Sequence, residues 1–411
     1  MASVFEVPCA ATIGFDEAQA IVRTGSAPLG VEQVALHKAG RRILAREVAA
    51  RIDSPRRDCA AMDGYAVRTQ DLVRETNRLS LQGESHAGDS TPAPLYPGTA
   101  IRVSTGAPMP QGADRVILRE LAHVEGDEVI VPRAGRKSHI RPRASDFACG
   151  APLLQPGTPI DARAMVILGA ADVDTVPVWR RPRVHVLTNG DELAAPGSAA
   201  QDSHTIPDSL SEALSLMARQ WGAKPMGTWQ SPDRADYLRA VTRQVLADAD
   251  LIVVAGGASH GPRDLVREAM APLGLELAFA GIAIKPGKPL WYGTIGKTHV
   301  LGLPGNPTAA LTTARLFLAP LVCQLAGAGF NHALRWHPRH LIEPVGPVGD
   351  RDEFLCASTE DAQPGSPTGV RVLARQEASA QMMLAHANLL VERRAGSPAT
   401  GEGTMVRCLR F

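Results

Sequence analysis

Between residues 184 and 325 the chain alternates short apolar runs with stretches of helical spacing, and this alternation constrains the fold more than any other feature. Strands are predicted over 184–188, 225–229, 251–254, 278–284 and 299–303, and helices over 209–221, 233–246, 263–271 and 308–325. Repeated strand–helix–strand units align strands in parallel and leave helices to cover both faces of the sheet. A three-layer α/β domain with a mostly parallel sheet is therefore expected over residues 183–330.

The flanking segments have a different texture. From 53 to 146, runs such as Ala66-Val67, Ala100–Val103, Arg115–Leu118 and Glu128–Val131 are broken by Gly, Pro and Asp turns, which predicts a β-rich domain. Residues 1–50 read as helical, with Asp16 capping one segment and Val31 and Val34 at helical spacing in the next. A helix followed by a strand is expected over 161–176. Beyond 330 short strands return, giving a small β domain over 331–411. The division is thus 1–52 with 147–182 as an N-terminal linker domain, 53–146 inserted into it, 183–330, and 331–411.

Charge and cysteine usage narrow the function. Lys plus Arg is 43 against 42 for Asp plus Glu, a net charge of +1, which lacks the basic excess of a general nucleic-acid binder. No run reaches the roughly 18 apolar residues needed to span a bilayer; the longest candidate, 311–325, carries Arg315 and Gln324 and is expected to be a buried helix. The first residues show no export signal, and the six cysteines are scattered without a Cys-x-x-Cys spacing, so neither a disulfide framework nor a zinc site is expected and a reducing cytoplasm fits best.

Ligands of open parallel sheets bind beyond the carboxyl ends of the strands. Three loops there are rich in glycine: Thr188-Asn-Gly-Asp-Glu192, Ala255-Gly-Gly-Ala-Ser-His-Gly261 and Leu303-Pro-Gly-Asn-Pro307. Such loops either form tight turns or let the backbone approach an anion at a helix N-terminus, and three together suggest a phosphate-bearing ligand. Neither Gly296-Lys-Thr298 nor Gly287-Lys288 completes a P-loop, and no Gly-x-Gly-x-x-Gly is present. Lys285-Pro-Gly-Lys-Pro289 places two of only six lysines on a proline-stiffened segment, suited to an oxyanion. Asp63, Asp146, Asp191, Glu192, Asp208 and Asp264 lie in turns, where they could cap local structure or hold Mg²⁺. His260 is a candidate proton carrier.

In chain order, Ala61-Met-Asp-Gly-Tyr-Ala-Val67, Ser104-Thr-Gly-Ala-Pro-Met-Pro110, Asn189-Gly-Asp-Glu-Leu193, Lys285-Pro-Gly-Lys-Pro289 and Gly302-Leu-Pro-Gly-Asn-Pro307 resemble the motifs of the molybdopterin molybdenumtransferase family, the bacterial MoeA type that also forms the C-terminal domain of gephyrin. The resemblance implies multidomain α/β and β architecture with a C-terminal β-barrel-like domain, in a homodimer whose site uses parts of the partner subunit. It implies Mg²⁺-dependent insertion of molybdate into adenylylated molybdopterin with release of AMP. Contacts with the molybdopterin adenylyltransferase and with recipient molybdoenzymes would follow.

Carried over by motif, Asp63, Asp146, Glu192, Lys285 and Lys288 fall on catalytic positions, with Asp63 and Glu192 as metal ligands. Thr105, Asp208, Pro304, Pro307, Arg351 and Ser379 match substrate-binding positions of the family, and Gly190, Asp191, Gly256, Gly257, Ser259, Asp264, Gly305 and Asn306 are added as substrate-binding candidates from the loops at the strand ends and their flank. The chain departs from the family pattern at 57–60, 143–145, 206–210 and 259–263, where usual Asn, Glu and Tyr residues are replaced. Two alternatives remain open: a weakened pterin-binding or scaffold paralogue, and a nucleotide-binding transferase unrelated to molybdenum.

Overall fold

The computed structural model describes residues 12–133, 135–256, 265–360 and 369–411. The chain divides into two compact units, one of residues 33–40 and 46–177, the other of residues 1–32, 41–45 and 178–411. The second gathers the α/β segment and the C-terminal β segment, which the sequence separates at 330.

The 46–177 unit is built on six strands: β1 Gly64–Val67, β2 Thr76–Ser85, β3 Thr99–Val103, β4 Arg115–Leu118, β5 His123–Glu125 and β6 Glu128–Pro132. They pair in the order β4-β1-β3-β2-β6-β5, with only β2 and β3 parallel. Their alternating residues feed two small cores, one around Ala66, Ile101 and Val103, the other around Val67, Leu79 and Val129. Helix α1, Ala162–Ala170, is capped by Asp161, which accepts from the N–H groups of Arg163 and Ala164.

The larger unit carries the expected alternation: β7 Arg183–Asn189, α2 Ser211–Gln220, β8 Lys224–Ser231, α3 Ala235–Val245, β9 Leu251–Ala255, α4 Leu265–Met270, β10 Leu275–Ala280, β11 Ile284–Lys285, β12 Trp291–Ile295, β13 Thr298–Leu303 and α5 Pro307–Leu325. The sheet runs β8-β7-β9-β13-β12-β10. The first four strands are parallel; β12 and β10 add antiparallel, so the sheet is mixed. Side-chain alternation sends Val184, Val186, Leu251 and Val253 to one face with α2 and α5, and Leu187, Ile252, Val254 and Val300 to the other with α3 and α4. This gives the three layers.

Five strands, β14 Trp336–Leu341, β15 Asp352–Glu360, β16 Gly369–Val372, β17 Leu389–Arg393 and β18 Met405–Arg410, close into a barrel through the β15–β17 pairing. Leu355, Ala357, Leu389 and Val391 fill its interior. Their neighbours Phe354, Cys356 and Leu390 face out and join the core under the sheet. Sheet and barrel thus share one apolar interior.

Four local expectations need correction. Val31–Ala35 is a strand, not a helix; its residues are mostly exposed, so helical spacing there had no apolar face to bury. The first helix, Phe15–Thr24, is preceded by Gly14, and Asp16 lies in its first turn rather than at the cap. The predicted strand 278–284 is two pieces, β10 in the sheet and β11 paired with β15 of the barrel. Strand β12 falls where the sequence pattern predicts none.

Helix α5 is long and apolar enough to cross a membrane, yet 89% of its apolar 18-residue stretch is buried in the protein, as expected of a core helix. A π-helical turn, Ala314–Leu318, carries Arg315, only 2% exposed. Its guanidinium donates to the carbonyls of Arg410 at 2.6 Å and Ala333 at 2.7 Å and lies 4.6 Å from the Trp221 ring. Burial pushes its pKa down to about 10.

On β13, His299 packs against Tyr292, with Tyr292 Oη and His299 Nδ1 2.8 Å apart. Burial holds the imidazole below its ordinary pKa, against a smaller opposing effect of Asp250. The unfolded chain therefore takes up a proton near pH 6.5 that the folded one refuses, so stability is full above that pH and declines as pH falls towards the depressed folded value. Urea unfolding at pH 7.5 and 5.5 should show a loss bounded by about 1.4 kcal/mol per pH unit for this one proton. His299→Gln should reduce the loss without abolishing it, since His332, half-buried beside Arg335, shifts in the same direction. Equal losses in parent and variant would exclude His299 as a source.

Candidate functional site

Strand register builds the site. Thr188 of β7 pairs with Ala255 of β9, and Ala255 with Leu303 of β13, so three carboxyl ends stop at one level. From β7 the chain crosses to β8 on one side, whereas β9 and β13 lie on the other. The crevice between β7 and β9 is the switch point at which open α/β sheets bind ligands.

The three loops touch. Gly256 has φ +94, and a Cβ there would stand 2.5 Å from the carbonyl oxygen of Asn189. A Cβ on Gly305 would lie 3.4 Å from Gly256 Cα. Pro307 opens α5 at its first position, where the missing N–H is no loss. The next N–H, of Thr308, donates to Ala378 at 3.1 Å, and the Thr308 hydroxyl donates to Ala380 at 2.9 Å. These bonds bring the segment after Ala378 to the same edge.

A cavity of about 690 Å³ opens over these tips. Of the predicted residues, Gly190, Glu192, Asp208, Gly256, Pro304, Gly305, Asn306, Pro307 and Ser379 line it. Asp191 stands beside it, accepting the Asp233 N–H at 3.0 Å. Gly257, Ser259, Asp264 and His260 lie outside the described residues.

The lining includes the carboxylates of Glu192, Asp208 and Asp233, and no Lys, Arg or His among the described residues. Asp208 is half-buried. Burial alone would raise its pKa, but donation from the Ser211 hydroxyl and N–H, the Thr188 hydroxyl and the Leu210 N–H outweighs this and holds it below the usual carboxylate value. It braces the start of α2 against β7. Sequence alone does not single out Asp233, because an Asp shortly before a helix looks like a cap. Here its carboxylate accepts from the Asn189 amide nitrogen. That fixes the amide and leaves Asn189 Oδ1 buried with no hydrogen-bond partner, on a residue that lines the cavity.

The lysine pair is placed differently from expectation. Pro289 reaches the cavity wall, but Lys285 and Lys288 do not line it. Both are exposed, and the Lys285 ammonium pairs with Glu353 at 3.0 Å. The segment is pressed onto α5: Gly287 has φ +121, and a Cβ there would come within 2.3 Å of Thr313 Cγ2. Arg351 stands just before β15, its Nε 3.8 Å from Asp350, and does not line the cavity.

In the other unit, Asp63 precedes β1 and Thr105 follows β3. Because Gly64 pairs with Val103, the two residues meet. Asp63 Oδ1 accepts from the Thr105 N–H at 2.7 Å and its hydroxyl at 2.9 Å, which lowers the Asp63 pKa. A smaller cavity of about 190 Å³ lies there, with Glu84, His86, Arg102 and Arg119 on its walls. Asp146 is exposed, its N–H donating to Ser54 at 3.0 Å. Among the described residues no group of three or more His, Cys, Asp or Glu could alone hold a metal ion.

Comparisons with known proteins agree with this architecture. A family profile described as the MoeA N-terminal region (domain I and II) matches residues 13–171, and one described as a probable molybdopterin binding domain matches 185–324. A molybdopterin molybdenumtransferase of Nostoc sp. is 35% identical over 75% of this chain and 71% of its own length. One of Haemophilus influenzae is 32% identical over 73% and 74%. The solved structure of a molybdopterin biosynthesis MoeA protein from Pyrococcus horikoshii superposes with a TM-score of 0.82 and 28% identity over 97% of this chain and 99% of that one. The chain belongs to the molybdopterin molybdenumtransferase family, enzymes of molybdenum cofactor biosynthesis.

Proposed function

We propose that this chain takes adenylylated molybdopterin and molybdate, cleaves the pyrophosphate with Mg²⁺ present, and releases AMP as molybdenum enters the dithiolene. The observation that carries the reading is the acid-lined cavity at the switch point, whose volume of about 690 Å³ suits a ligand of this class. A polyanion does not settle among carboxylates without a counter-charge. Mg²⁺ takes oxygen ligands and leaves several positions to water or substrate phosphates. Glu192 and Asp233 offer such oxygens, and their small number fits an ion held jointly with substrate. When bound, the ion would offset phosphate charge.

The chain's own groups do the rest. Asn189 Oδ1 accepts from a donor edge of the ligand, and Gly190, Gly256 and Gly305 let it sit close to the backbone. Lys285 and Lys288, with Arg351 and Ser379, receive the oxyanion. Asp63 and Asp146 are proposed as further catalytic groups, Asp63 also as a metal ligand, and Thr105 as a substrate contact; a homodimer, whose partner subunit contributes parts of the site, is the proposed assembly. The molybdopterin adenylyltransferase is the proposed source of substrate and molybdoenzymes the recipients. The scaffold reading draws on Leu210, an apolar residue on the cavity wall where the family's usual Asn is missing.

The test is AMP release by the purified full chain from adenylylated molybdopterin, with and without molybdate and Mg²⁺. Release that needs both supports the proposal; tight pterin binding without release supports the scaffold reading instead. Lys288→Ala should lower the rate about tenfold, since a charge-assisted contact contributes about 1.5–3 kcal/mol. A rate within twofold of the parent would remove Lys288 from the site.

A further inference from the structure

The Lys285 ammonium is not free. Lys285 and Glu353 are partners in the short parallel pairing of β11 with β15, and their side chains meet at 3.0 Å. The two ends of this bridge differ in exposure: the Lys285 side chain is 55% exposed and that of Glu353 only 16%. Behind Glu353, directly across the β15–β17 ladder, lies Arg393, 4% exposed. Arg393 donates through Nη2 to the Pro398 carbonyl at 2.6 Å, and its Nη1 is buried with no hydrogen-bond partner. One carboxylate thus stands between an outer cation that can meet solvent and an inner one that cannot.

We propose that Glu353 is a positioning residue for Lys285 that also sets its pull on a tetrahedral oxyanion. This rests on Lys285 receiving the oxyanion, as proposed above. The carboxylate is held in place by its strand, with the charge of the inner cation across the ladder acting on it through space. It fixes the ammonium through one of three N–H groups and leaves two to donate outward. Its negative charge also cancels part of the field an arriving anion feels, which keeps binding weak enough for release. Neutralising Glu353 while keeping its shape should therefore tighten oxyanion binding, whereas a merely structural residue would weaken binding or leave it alone.

The experiment titrates sodium molybdate into the full-length protein by calorimetry, without pterin, at low and moderate ionic strength. Glu353→Gln should lower the Kd three- to tenfold and steepen its dependence on salt. Neutralising Glu353 also strips a buried cation of its counter-charge, so Glu353→Gln/Arg393→Met is measured beside it. The double variant restores the inner balance and should show the same tightening. In a Lys285→Met background, Glu353→Gln should tighten binding less than threefold, since only the direct repulsion by the carboxylate is then relieved. If Lys285→Met alone leaves molybdate binding unchanged, the assignment of Lys285 fails. If Lys285→Met weakens binding but neither Glu353 variant tightens it, only the role of Glu353 is overturned.

Discussion

Glu192→Gln is expected to lower molybdate-dependent AMP release about a hundredfold, equivalent to ~2.7 kcal/mol of transition-state stabilisation. The substitution keeps the side chain's length and its ability to accept a hydrogen bond, and removes only the charge. Charge is what this position contributes: the cavity has three carboxylates and no lining cation among the described residues, so an anionic substrate depends on a divalent ion for balance. The backbone around Glu192 is set independently of its carboxylate, by the Ile206 N–H donating to the Glu192 carbonyl at 2.7 Å and by the Leu193–Ile206 pairing. An exposed side chain on such a loop contributes little to stability, roughly 0.5 kcal/mol or less. The melting temperature should therefore hold while turnover collapses, and raised Mg²⁺ should restore part of the rate. A rate within tenfold of the parent, at saturating substrates, would remove Glu192 from the ion's ligands.

Gly256→Ala should damage both folding and catalysis. The backbone there is left-handed, which costs a residue with a Cβ about 1–2 kcal/mol. The added methyl would also stand 2.5 Å from the Asn189 carbonyl, a backbone atom with little room to retreat. Overpacking of this kind costs about 1–3 kcal/mol, so the expected loss of unfolding free energy is about 2–4 kcal/mol by urea titration. Relief of the clash requires the β7 and β9 tips to part, which displaces Asn189 and with it the Asp233 carboxylate. AMP release should fall with stability. A loss below about 1 kcal/mol would mean the tips are looser than the close approach indicates.

The strands that carry the cavity were legible because each is a buried apolar run ended by glycine: 184–188, 251–254 and 299–303 announce both their type and the place where they stop. Strand β12 was not legible, because Trp291-Tyr-Gly-Thr-Ile295 follows a proline-rich turn and lacks simple alternation. It is a strand because it lies between β13 and β10. The carboxylates on the loops could be identified as residues but not sorted by role. Asp208 is engaged by four donors of its own fold, while Asp233 looks like a helix cap. The lysine pair shows the limit most plainly. Two ammonium groups on a stiff loop suggest a common target, yet β11 is recruited by the barrel and turns Lys285 towards Glu353, a residue 68 positions later that no local pattern connects to it.

Helix α5 also bears on the order of events during synthesis. Its nineteen residues are made long before Phe354, Leu390 and Leu409, which complete the interior around it, and the Arg315 guanidinium meets one of its two carbonyl acceptors only at Arg410. A growing polypeptide therefore carries a segment as greasy as a bilayer span, with a stranded cation in its middle, for the whole time the ribosome spends on the following eighty or so codons. The nascent chain cannot finish this interior piecemeal, because β18, the last of the five barrel strands in chain order, is the one that seals it.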